Sequence, residues 1–170
     1  MTFIRPETPA DYAALDLFIS EAFASAKVSD GKEAEFVHRL RSSPRYMPSL
    51  SLVLEENGSL IGHIMLSRLC VRGREDLKML LLAPLAVRLD KRGCGFGTRL
   101  VREALHRAAE EGYEAVALLG DPGYYGRFGF ARLDSAGFTA NDCLPPAYTQ
   151  VLALKEGVLQ GPAGYINFLE

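Results

Sequence analysis

The order of apolar patterns along this chain predicts an α/β (α+β) fold: one three-layer domain with helices on both faces of a mixed, mostly antiparallel sheet. Three observations carry that expectation. Asn57-Gly58 lies between two β-type runs, residues 50–55 and 60–71, and Asn-Gly in that setting is a strong short-range signal for an antiparallel hairpin. Residues 98–111 place Leu100, Val101, Ala104, Leu105 and Ala108 on one stripe, with Arg102, Glu103, Arg107 and Glu110 opposite and Gly112 at the C-cap, which reads as a helix. The run Ala115–Leu119 follows it, and strand, helix, strand in that order implies a right-handed crossover between parallel neighbours.

The remaining elements follow from local chemistry. Phe3-Ile4-Arg5, ended by Pro6, reads as a first strand. Thr8-Pro9-Ala10-Asp11 supplies a cap, a proline at the first helical position and an acid three residues on, and Tyr12, Leu15, Ile19, Ala22 and Phe23 then recur at helical spacing. Residues 33–41 carry Phe36, Val37 and Leu40 on one face and predict a second helix. Residues 78–87 are almost continuously apolar, and Pro84, which has no N–H to give a ladder, is expected to interrupt them. Beyond residue 119 the pattern predicts a loop over 120–123, one helical turn over 124–128, and short strands at 130–133, 151–154 and 165–168.

Size and composition narrow the function. At 170 residues there is room for a single domain over 1–170, and neither repeat nor linker is visible. A net charge of −2 argues against bulk binding of nucleic acid, so no nucleic-acid partner is expected. No stretch approaches the roughly 20 apolar residues that cross a bilayer, and the N-terminus lacks the order of a signal peptide, so the expected location is cytoplasmic, with no membrane partner. Cys70, Cys94 and Cys143 are odd in number and lack metal-ligand spacing, so neither disulfides nor a metal site are expected. Asn57-Gly58-Ser59 matches a glycosylation sequon but reads as the hairpin turn.

The chemistry concentrates in residues 84–100. Arg92-Gly93-Cys94-Gly95-Phe96-Gly97 puts three alternate glycines between a buried strand and the start of the long helix. Glycine permits a sharp turn and close backbone approach, and the unused N–H groups and positive dipole end of a helix start suit an anion, most naturally a phosphate. Over residues 88–102, Arg88, Lys91, Arg92, Arg99 and Arg102 stand against Asp90 alone, a local net charge of +4. The P-loop pattern fails because Gly97 is followed by Thr98-Arg99, with no lysine, and the dinucleotide pattern fails because Thr98 and Leu100 occupy its third-glycine positions. What fits is Arg-x-x-Gly-x-Gly, at Arg92, Gly95 and Gly97, after Leu85-Ala86-Val87.

At these residues the sequence resembles the GNAT superfamily of acyl-CoA-dependent N-acyltransferases, whose signature is Arg or Gln, x, x, Gly, x, Gly or Ala after a strand ending Leu-x-Val. Tyr124-Tyr125-Gly126-Arg127-Phe128-Gly129-Phe130 is similar to the family's Tyr-x-x-x-Gly-Phe segment. The resemblance in order and spacing runs from about residue 78 to 132. It implies a splayed parallel central strand pair and acetyl-CoA or CoA as acyl donor, with no metal. Its pyrophosphate would rest on the amides of Arg92, Gly93, Cys94, Gly95, Phe96, Gly97 and Thr98, and its pantetheine beside Leu85, Ala86 and Val87, with Tyr124 and Phe128 also at the donor. The implied reaction is attack of a neutral primary amine, of a small molecule or a peptide, on the thioester in a ternary complex. Tyr125 matches the proton donor to the departing thiolate, with Tyr124 behind it; a phenol is protonated at neutral pH and near a thiol in pKa.

Several alternatives stand beside this reading. A non-catalytic acyl-CoA sensor would keep the glycine loop without turnover. Asp121, Glu21, Glu55, Glu56 and His63 are all candidates for the amine's base, and no spacing selects among them. His63 reads first as a strand histidine, and Cys94, with no histidine nearby in sequence, as incidental. Residues 21–49 and 134–150 are expected to wall the acceptor pocket, with Asp30, Glu33, Asp134 and Asp142 available to attract a cation, and a homodimer is left open.

Overall fold

The computed structural model describes residues 1–26 and 29–170. The chain divides into two compact units, Met1–Ser67 with Ala83–Arg107, and Arg68–Leu82 with Ala108–Glu170. The main sheet is mixed and mostly antiparallel, as the sequence predicts. The strands are β1 (Thr2–Pro6), β2 (Ser51–Glu56), β3 (Ser59–Leu69), β4 (Met79–Val87), β5 (Ala115–Leu119), β6 (Ala131–Arg132), β7 (Thr139–Ala140), β8 (Thr149–Ala153) and β9 (Tyr165–Ile166). The helices are α1 (Tyr12–Phe23), α2 (Glu33–Arg41), α3 (Phe96–Glu110) and α4 (Pro122–Tyr125).

In the first unit the hairpin forms where Asn-Gly places it. Asn57 and Gly58 take φ of 51° and 79°, the pair of positive values a two-residue turn needs to match strand twist. Pairing runs Ser51↔Met65 to Glu56↔Ser59 with an irregularity at Leu54/Glu55, and β1 adds on the other side of β2, Thr2↔Glu56 to Pro6↔Leu52. Alternation along β3 then sends neighbouring residues to opposite faces. Met65, with Val53, meets the α1 and α2 residues Leu15, Ile19, Val37 and Leu40. Gly62 turns the other way, where an added β-carbon would lie 2.7 Å from Leu100 Cδ1 of α3. Helices therefore cover both faces of this unit's strands.

The first helix begins as a 3-10 turn, Pro9–Asp11, where the Asp11 carboxylate accepts from the Thr8 N–H (2.7 Å) and hydroxyl (2.9 Å). Beneath α1 and α2 lies a buried ionic cluster. Glu7 accepts two hydrogen bonds from Arg41 (3.0 Å each), one from the Tyr46 hydroxyl (2.8 Å), and pairs with His63 Nε2 (3.0 Å). Burial alone would raise the Glu7 pKa, but His63 and Arg41 outweigh it and hold the carboxyl down at about 2.

In the second unit β5 pairs antiparallel with β8 along its whole length, Ala115↔Ala153 to Leu119↔Thr149, and β6 adds to β8 at Ala131↔Val151 and Arg132↔Gln150. The parallel ladder of β4 with β5 runs Met79↔Ala115 to Leu81↔Ala117 and stops there.

Several expectations need correcting. Pro84 does not interrupt β4, which runs on to Val87 through a cis Ala83–Pro84 peptide. The change at this point is in pairing rather than in the strand: the ladder to β5 ends three residues before the proline. The helix predicted over 98–111 begins two residues earlier, at Phe96, so the last glycine of the motif is helical. The helical turn predicted over 124–128 likewise starts early, at Pro122, because the Asp121 side chain caps it by accepting from Gly123 N–H at 2.8 Å. The strands predicted over 130–133 and 165–168 shorten to β6 and β9, that over 151–154 moves to β8, and the run 60–71 ends at Leu69. β7 had no legible pattern: it is two residues long and pairs only with β9. No helix among the described residues is long and apolar enough to cross a membrane.

Candidate active site

The glycine motif makes the joint between β4 and α3. After Val87 the chain holds β3 through Arg88 N–H to Ile61 C=O (3.0 Å), turns through a 3-10 segment, Leu89–Lys91, and reaches Gly93 and Gly95, whose φ of 76° and 85° lie in the left-handed region. An added β-carbon at either would meet nothing within 4 Å, so what these positions require is the dihedral, not the space. Gly95 C=O accepts from Arg99 N–H (3.0 Å), the first hydrogen bond of α3. The N–H groups of Phe96, Gly97 and Thr98 precede any intrahelical acceptor and point out of the helix start with its positive dipole end. Gly93, Cys94 and Gly95 are exposed, and Gly95, Thr98, Arg99, Arg102 and Glu103 line an open hollow of about 490 Å³.

The five cations counted here do not form a free patch of +4. Arg88 pairs with Asp90 (2.6 Å) and Lys91 with Glu56. Arg99 donates to the Thr2 hydroxyl (2.6 Å) and carbonyl (3.2 Å), which fixes its place but leaves its charge uncompensated. Arg92 is the informative one. Its guanidinium donates to Val87 C=O (3.2 Å) at the end of β4 and to Ala22 C=O in the last turn of α1. The Arg92 side chain is thus a brace that ties the loop to β4 and α1. Leu85 and Val87 of β4 are half-buried and Ala86 is buried, beyond the point where the β5 ladder stops.

The aromatic segment belongs to the second unit. The Tyr125 ring lies edge-on to Tyr124 (centroids 4.9 Å apart) and to Phe130 (5.9 Å), with Phe128 at 6.3 Å. Arg127 covers the Tyr124 ring, its guanidinium carbon 4.4 Å from the centroid, and donates to Tyr124 C=O at 2.8 Å. Among the described residues none hydrogen-bonds the Tyr125 hydroxyl. Burial pushes the Tyr125 phenol up, and the neighbouring Tyr124 adds to the shift. The phenol therefore lies further above a thiol in pKa than an ordinary tyrosine does.

The base candidates are mostly committed elsewhere. Glu55 pairs with Arg5 (3.1 Å), Glu56 with Lys91, and His63 is fully buried against Glu7. Asp121 caps α4, and Glu21 stands exposed on α1. The acids expected to draw a cationic acceptor are also in local use. Asp30 accepts from Lys32 N–H (2.9 Å), Glu33 from Ser29, and Asp134 pairs with Arg132 (3.0 Å), while Asp142 is exposed. Lys27 and Val28, in the expected acceptor wall, lie outside the described residues. Sequence reasoning missed the bracing role of Arg92 and two groups behind Tyr125, Gly120 and Gln150. The only available signal for the latter was a glutamine inside an apolar run.

The ladder of β4 with β5 thus ends at Leu81, and the glycine turn leads from the end of β4 into the start of α3. Residues 4–133 match the family model described as the acetyltransferase (GNAT) domain, and the chain belongs to that family. It is similar to the N-acetyltransferase YhbS of Escherichia coli K12, 36% identical over 168 residues that cover 98% of this chain and 96% of YhbS. A crystal structure of YhbS in complex with CoA superposes with a TM-score of 0.87 at 33% identity, covering 98% of this chain and 88% of that one. A GNAT family acetyltransferase from Brucella melitensis in complex with acetyl-CoA gives 0.80 at 34% identity, covering 98% and 94%.

Proposed function

We propose that the protein is an N-acetyltransferase that moves the acetyl group of acetyl-CoA to a primary amine of a small molecule or peptide, by direct attack in a ternary complex. Residues 1–170 act as one catalytic domain, cytoplasmic like its donor. The observation that carries this reading is the start of α3: three N–H groups without helical acceptors follow two left-handed glycines, an arrangement suited to a diphosphate. The relatives crystallised with CoA and acetyl-CoA support it.

In this reading the amides of Arg92 to Thr98 hold the pyrophosphate, and Leu85, Ala86 and Val87 offer pantetheine the backbone groups that the shortened β5 ladder leaves available. A backbone N–H near this point polarises the thioester carbonyl as the amine adds. Collapse of the tetrahedral intermediate breaks the C–S bond, and the Tyr125 hydroxyl passes its proton to the departing thiolate. Tyr124 and Phe128, which pack against the Tyr125 ring, lie at the donor with it.

Calorimetry with CoA and acetyl-CoA tests the donor site. Wild type binds both, and Gly95→Glu, which sets a carboxylate beside the anion grip, removes the heat; equal affinity in the variant would place the donor site elsewhere. Thiol release from acetyl-CoA with a panel of amines, amino acid amides and short peptides tests turnover. Tyr125→Phe is expected to lower kcat by about 100-fold or more with little change in CoA affinity. Tight CoA binding with no release from any acceptor would make the protein a sensor instead.

A further inference from the structure

We infer that Gly120 and Gln150 are positioning residues for Tyr125: together they hold the surface on which its ring is seated and so aim a hydroxyl that none of the described residues hydrogen-bonds. The inference rests on the reading of Tyr125 as the proton donor.

Gly120 is the first residue after β5. A β-carbon there would lie 2.6 Å from Tyr125 Cε2 and 3.0 Å from Cδ2, so the ring rests on the bare α-carbon and no larger residue leaves it there. Gly120 is not among the glycines of positive φ, so its requirement is space for the ring and not an unusual dihedral. Tyr124, Phe128 and Phe130 surround the ring from other sides. With no hydrogen bond to its hydroxyl among the described residues, the phenol's direction is set by packing, and the Gly120 peptide is part of it.

That peptide sits where the ladder fails. Gly120 N–H donates to Tyr148 C=O (2.9 Å), which continues the β5–β8 register by one pair. The reciprocal bond is missing because Tyr148 N–H donates instead to Pro145 C=O (3.0 Å). Gly120 C=O would lose its strand donor, and the Gln150 side chain supplies one: Nε2 donates to it at 2.8 Å. Gln150 is 1% exposed on β8, between Leu118 of β5 and Arg132 of β6. A buried amide there is costly unless paired, and here it locks the peptide on which Tyr125 stands. Misplacing a reacting group by about 1 Å costs up to about 100-fold in rate, so a side chain that never touches substrate acts on turnover through this contact.

The test is a double-mutant cycle on the full chain, read as acetyl-CoA thiol release with whichever panel amine wild type acetylates fastest. Gly120→Ala puts a methyl group under the ring, and Gln150→Met removes the amide donor at nearly constant shape. Each is expected to lower kcat by about 10-fold or more with the KM for acetyl-CoA within about twofold, and to cost less than about twofold in a Tyr125→Phe background. Full activity in both single variants, or the same loss in either background, overturns the inference. A second readout needs no acceptor: in protein labelled with [13Cζ]tyrosine, the line that Tyr125→Phe removes is expected to shift in Gly120→Ala and Gln150→Met. An unmoved line overturns the inference even if kcat falls. If Tyr125→Phe proves fully active, the assignment of Tyr125 as proton donor fails, and the shifted line alone then sustains or refutes the seating of its ring.

Discussion

Arg92 does two unrelated things with two parts of one residue. Its backbone enters the glycine loop, while its side chain reaches back to the end of β4 and across to the last turn of α1. Arg92→Met keeps length and removes both bonds, leaving two carbonyls without their donor. The expected cost is about 1 to 3 kcal/mol of stability, from charge-assisted bonds lost, together with weaker CoA binding because the loop loses its shape. Chemical denaturation and calorimetry on the same sample check both effects. Tyr125 carries a prediction of its own. Because burial raises the phenol, its protonated form persists above the ordinary tyrosine range. Turnover should therefore climb as the acceptor amine deprotonates and show no fall up to about pH 10, whereas a proton donor with an unshifted pKa begins to fail there. A pH profile of kcat with saturating amine decides it.

At the scale of elements, the best-patterned ones were the most legible. Hairpin, α2 and β5 lie where periodicity and Asn-Gly put them, since turn chemistry and amphipathic spacing are local properties of the chain. The C-terminus of α3 shows the same: Gly112, at φ 84°, donates to Ala109 C=O and Tyr113 N–H to Ala108 C=O, the paired bonds of a Schellman cap. Nothing lies within 4 Å of an added β-carbon there, so Gly112→Ala isolates backbone strain and is expected to cost about 1 kcal/mol, read as a lower Tm with unchanged CoA affinity. Less local features were not legible. Pro84 marked the right neighbourhood for a parting of strands, but where the ladder ends depends on the course of β5, which the β4 sequence does not encode. The charge count around residue 92 misread the loop for a similar reason: Glu56 and Thr2, which engage Lys91 and Arg99, are far away in sequence. Gln150 was hidden because its partner is a backbone carbonyl freed only by how residues 145–148 fold.

At the scale of the whole molecule, acid should act first through Glu7. A carboxyl at about 2 when folded, against 4.5 ordinarily, contributes stability that is fully present above pH 4.5 and is lost as pH falls from there toward 2. That shift corresponds to about 3 kcal/mol, a large part of the margin of a small protein. Glu7→Gln should flatten the stability curve in this window while lowering it at pH 7, where Arg41 and His63 then lack their anion. Denaturant titrations at pH 7, 4.5 and 3 decide it; parallel curves for the two proteins would show that the cluster is not the acid-sensitive element.

The brace from Arg92 to the carbonyls of Val87 and Ala22 has a thermodynamic corollary for the resting molecule. A grip assembled before its guest arrives has little disorder left to surrender on contact. Loading with coenzyme should then proceed at an association rate limited by encounter rather than by rearrangement.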